Sequence, residues 1–84
     1  ADIPGTIIAG IKSSLNSLKE AAKAISKELE HLAQFKELSP QLRAAALAKL
    51  DAAVEAFIAA QRTLAKAMDE AVEAAGRAKD AVYN

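Results

Sequence analysis

The sequence predicts an all-α protein, an antiparallel hairpin of two long helices. Three observations predict it. Apolar residues recur at alternating steps of four and three through both halves of the chain, and the dipeptide Ser39-Pro40 interrupts that rhythm near the middle. Charges of opposite sign also fall at facing levels once the chain is folded back at that dipeptide.

The second half carries the stronger signal. Leu47, Leu50, Val54, Phe57, Gln61, Leu64, Met68, Ala71, Ala75, Ala78 and Val82 form a heptad seam that predicts one helix over 40–82. Beside the seam runs a row at strict seven-residue spacing: Ala46, Ala53, Ala60, Ala67, Ala74 and Ala81. Side chains this small let another helix approach closely.

The first helix is predicted over 6–38. Ile8, Ile11, Leu15, Leu18, Ala22, Ile25, Leu29 and Leu32 keep the same rhythm. Pro4 and Gly5 mark an irregular lead-in, and Thr6 is the expected N-cap because its hydroxyl can accept from an amide one turn on. Gly10 weakens the opening by about 1 kcal/mol relative to alanine. Ser13, Ser14, Asn16 and Ser17 read as its solvated face, where fraying is expected.

Ser39-Pro40 is the punctuation. Serine at the N-cap followed by proline at the first helical position starts a helix, since proline lacks an amide that would be orphaned there anyway. Proline also disfavours helical geometry at Ser39, which ends the first helix. So short a connection sets the helices antiparallel. Counting back from the turn, Lys12 falls near Asp69 and Glu70, Lys23 near Glu55, Lys27 near Asp51, and Glu30 near Lys49. Residues from Ala74 onward are left without a partner, and Gly76 marks a fray or a helix end.

At 84 residues the chain is one small domain, near the size where a single core barely suffices. Hydrophobic residues make up 52%, but much of that is alanine, and the aromatics are only Phe35, Phe57 and Tyr83. With no cysteine, disulfides cannot supplement the core. Eleven basic and eleven acidic side chains cancel, so no nucleic-acid partner is expected. The compartment is left open; the start at Ala1 fits a cleaved leader, a lost initiator Met or a trimmed piece.

One neighbouring helix cannot cover the apolar surface of the second helix. Between Ala44 and Ala60 only Lys49, Asp51 and Glu55 are charged, alanine also fills Ala45, Ala52 and Ala59, and Ile58 and Val72 flank the seam. The expectation is self-association, as a four-helix bundle or a larger helical assembly, through Ala46, Ala53, Ala60, Ala67, Ile58 and Gln61. A helical protein partner would fit the same surface. Gln61 interrupts the seam, and its amide can fix register by pairing across an interface.

Chemistry is sparse. Glu28-x-x-His31 is half of a di-metal carboxylate motif, but Leu29 and Leu32 hold the seam positions, so Glu28 should flank the seam and His31 should point away. Asp69, Glu70 and Glu73 stand beside Lys66 and Arg77 and read as a solvated charged face. No nucleophile has a base within helical reach, so no catalytic residue, metal or cofactor is expected. Lys12, Lys19, Lys23 and Lys27 beside Ile7, Ile8, Ile11, Leu15 and Leu18 make the first helix cationic and amphipathic. A lipid or membrane surface is therefore the alternative partner. The reading is a non-enzymatic structural or protein-interaction module that self-associates.

Overall fold

The computed structural model describes residues 4–34 and 39–83. They form two α-helices, α1 (Gly5–Gln34) and α2 (Pro40–Tyr83), packed against each other as a hairpin. At 1.5 Å per residue, the 44 residues of α2 account for about 66 Å of the molecule's 67 Å length. The other two dimensions are 15 and 14 Å, a cross-section with room for this one pair of helices. The expected end of α1 near Leu38 lies outside the described residues, as does Phe35.

The start of α2 follows its sequence. The Leu42 amide donates to Ser39 Oγ at 3.3 Å, and the Arg43 amide donates to the Ser39 carbonyl at 2.9 Å. Ser39 is thus the N-cap, with Pro40 in the first helical position. The start of α1 differs from expectation. The helix already includes Gly5, and the Pro4 carbonyl accepts from the Ile7 and Ile8 amides at 3.0 and 3.4 Å. Thr6 lies inside the first turn and does not cap it.

Neither weak spot interrupts its helix. α1 is continuous through Gly10 and the serine-rich stretch, and α2 runs through Gly76 to Tyr83. No glycine has a positive φ, so none is used for a turn.

The seam is shifted from the predicted one in half of its positions. Ile11, Leu18, Ile25 and Leu32 on α1, and Leu50, Phe57, Leu64, Ala71 and Ala78 on α2, face the partner helix as expected and are half-buried. The alternate positions fall one residue earlier. On α1 they are Ile7, Ser14, Ala21 and Glu28, in place of Ile8, Leu15, Ala22 and Leu29. On α2 they are Ala46, Ala53, Ala60, Ala67 and Ala74, in place of Leu47, Val54, Gln61, Met68 and Ala75.

The physical reason is closeness. Small side chains on facing rows let the two backbones approach, and dispersion contacts then accumulate along the full length of the pair. Among the described residues the buried apolar ones are all alanine (Ala21, Ala53, Ala60 and Ala74), and no large side chain is fully covered. Ala74 is the most buried of them at 5% exposure, so α1 reaches the level from which α2 was expected to stand alone. The unpaired end is shorter, and there Val82 and Tyr83 are largely exposed.

Candidate interaction surface

The one-residue shift decides what the molecule presents to its surroundings. Ile8, Leu15 and Leu29 on α1, and Leu47, Val54 and Met68 on α2, are left between 37% and 53% exposed. Each follows a buried or half-buried seam residue by one position. Antiparallel helices are related by an approximate two-fold axis perpendicular to the plane that holds both. Equivalent rows therefore emerge on the same side, and these two apolar rows share one face of the hairpin.

On α2 the face is broadened by the next row, where Ile58 is 36% exposed and Val72 is 71% exposed. That helix thus carries two heptad seams side by side, one turned to α1 and one turned outward. The opposite face of the hairpin presents Gly10, Ser17 and Ala24 from α1, and Lys49, Thr63 and Arg77 from α2. Thr63 there turns its hydroxyl back to the Ala59 carbonyl at 3.1 Å. The first face is mainly apolar, interrupted by Lys12, Lys19, Asp51 and Gln61, and the other is mostly polar or small, with Leu42 exposed on it.

The predicted interface residues divide accordingly. Ala53 and Ala60 are buried, and Ala46 and Ala67 half-buried, in the seam within a single chain. This ridge is occupied by α1 and is not open to another copy. Ile58 and Gln61 are exposed on the apolar face. Gln61 is the polar member of its row, between Val54 and Met68. Leu15, Leu29, Leu47, Val54 and Met68 belong to the exposed face, although the sequence reading assigned them to the core. The signal that separates the two alternatives is size. Ser14 and Ala21 form a small row on α1 that matches the alanine ridge on α2.

Charges lie elsewhere than expected. Lys23 pairs with Glu20 of its own helix at 3.5 Å, both side chains being well exposed. Glu28 sits in the seam with its side chain only 17% exposed, and its Oε2 is 3.6 Å from His31 Nδ1. It was expected to flank the seam, but the shift moves it to where Leu29 was placed. The counted cross-hairpin pairs do not form. Lys23, Glu30, Glu55 and Asp69 all occupy the row on the back of their helix, farthest from the seam, and point away from the opposite helix.

Among the described residues, no three His, Cys, Asp or Glu side chains stand close enough to hold a metal ion. No described helix is long and apolar enough to cross a membrane. No protein-family model matches the chain, and comparisons with curated proteins and with solved structures return no match.

Proposed function

We propose that the chain is a non-enzymatic interaction module that self-associates by burying the apolar face of its hairpin against a second copy, giving a four-helix bundle. One observation carries this reading. Leu42 apart, the exposed large aliphatic side chains of both helices gather on a single face, whereas isolated exposed apolar residues would be scattered.

Size supports it. Where both helices are present, over the 30 residues of α1 or about 45 Å, a face 15 Å wide offers about 700 Å² per copy, close to the ~800 Å² that each partner contributes to a standard interface. Stability supports it too. A two-helix layer with an alanine core buries little apolar area, and small scaffolds of this kind are commonly completed by oligomerisation.

The test is solution mass by light scattering across a dilution series. The wild-type chain should show a multiple of its 8.8 kDa mass. Leu15→Glu and Val54→Glu, each placing a charge on the apolar face, should return it to a single chain. Thr63→Glu on the other face should leave the assembly intact. The competing occupant is a lipid surface, favoured by Lys12 and Lys19 beside Ile8 and Leu15. A chain that stays monomeric at every concentration yet binds anionic vesicles would replace self-association with that function.

A further inference from the structure

We infer that the two hairpins lie parallel, with the two-fold axis along their length, so that α1 of each copy packs on α2 of the other. The inference rests on the self-association proposed above and specifies its geometry.

Face-to-face stacking leaves two symmetric choices. The axis lies in the interface and runs either along the hairpin or across it. The lengthwise axis places α1 against α2 of the second copy at the same level. The crosswise axis places α1 against α1 and α2 against α2, reversed about the middle. Either way neighbouring helices are antiparallel, so backbone packing does not discriminate.

Charge discriminates. Leu32 and Ala46, the seam residues that bracket the turn, are both half-buried, and they set the levels of the two helices. Counted from them, Lys23 lies at the level of Glu55, and Lys12 within one turn of the level of Asp69. Within one hairpin Lys23 and Glu55 cannot meet, because both occupy the row on the back of their helices. For the outward seam that same row is the flank, the place where interhelical ion pairs select partner and orientation. The lengthwise axis therefore brings Lys23 beside Glu55 of the second copy, twice by symmetry. The crosswise axis pairs α1 with α1 of the second copy, and with the axis anywhere near the middle of the hairpin the back-row residues that then face Lys23 are Ala9 and Asn16, neither of them acidic.

The chain lacks cysteine, so one introduced thiol can be labelled cleanly. Gln41 is exposed in the first turn of α2, at the turn end of the hairpin. A spin label at Gln41→Cys, measured by pulsed dipolar spectroscopy on the full chain, reads the orientation directly. The lengthwise axis puts both turns at one end, with labels about 20–35 Å apart, two to three helix diameters. A distance of about 50 Å would mean the crosswise arrangement and would overturn the inference. Monomer mass with no dipolar coupling would remove the proposed self-association itself, a distinguishable failure. A charge exchange supplies the second test. Lys23→Glu and Glu55→Lys should each raise the dissociation constant about two- to fivefold at low salt, and the double variant should restore it. Additive weakening in the double variant would count against the pairing.

Discussion

The Ser14 hydroxyl donates to the Gly10 carbonyl at 2.8 Å, one turn back along the same helix. Ser14 is 6% exposed and is the buried polar residue of the seam. Because its own helix satisfies the hydroxyl, α2 need supply only a surface, and an alanine ridge suffices. The site therefore selects for size rather than polarity. Ser14→Ala should be tolerated, raising stability by up to about 0.5 kcal/mol through better helix propensity. Ser14→Leu should lower it by about 1–3 kcal/mol through overpacking. Urea melts at one fixed protein concentration compare the two, since association would otherwise change the apparent stability.

The ridge makes the same demand from the other side. Ala60 is 9% exposed, while Ala59 next to it is exposed. Ala60→Leu should cost about 1–3 kcal/mol by forcing the helices apart, and Ala59→Leu should fall within about 0.5 kcal/mol of wild type. Thermal unfolding followed by circular dichroism measures both. Equal effects at the two positions would mean that the helix is rotated from the phase described.

The cap of α2 is worth testing because one side chain makes it. Loss of the bond from the Leu42 amide to Ser39 Oγ in Ser39→Ala should cost about 0.5–2 kcal/mol. Ser39→Asp should retain most of that stability, as aspartate caps comparably and adds a negative charge at the positive end of the helix. Chemical denaturation of the three proteins gives the ranking.

Gly10 and Gly76 are helical, and a Cβ built on either meets nothing within 4 Å. Gly10→Ala and Gly76→Ala should each therefore raise stability, by up to about 1 kcal/mol, through reduced backbone freedom in the unfolded chain. By the levels of the two helices the positions are about 12 Å apart along the hairpin and share no contact, so their effects should add. A shift in the urea midpoint without a change in slope is the expected form.

The fold was legible because its signals are local. Ser39-Pro40 specifies where α2 begins through two residues' own backbone chemistry, and the four-three rhythm of Leu18, Ile25, Leu50 and Phe57 marks helices wherever they pack. The phase of the seam was not legible, for a physical reason. Reading apolar periodicity favours the row with the larger side chains, and so Leu15 over Ser14 and Val54 over Ala53. Two helices with no third layer instead pair their small rows, leaving the larger side chains half outside. The alanine ridge was visible as a pattern, but its partner was misassigned, because the matching small row on α1 contains a serine and a glutamate. Glu28 shows this most plainly. A carboxylate in a seam is not something periodicity would propose, and here its Oε2 lies 3.6 Å from Nδ1 of His31, one turn on.

The alanine core has a calorimetric consequence. The heat capacity gained on unfolding scales with the apolar surface newly exposed to water, and ordinary domains gain about 12–15 cal/mol/K per residue. A chain whose buried apolar residues are alanines, with its leucines and valines already half in water, has less to expose. Its free energy as a function of temperature should be a low, flat dome instead of a sharp one. The hairpin alone would then melt gradually and be little changed by cooling. Covering the apolar face would add the missing curvature, so a concentration-dependent heat capacity of unfolding would be the thermal imprint of the second copy.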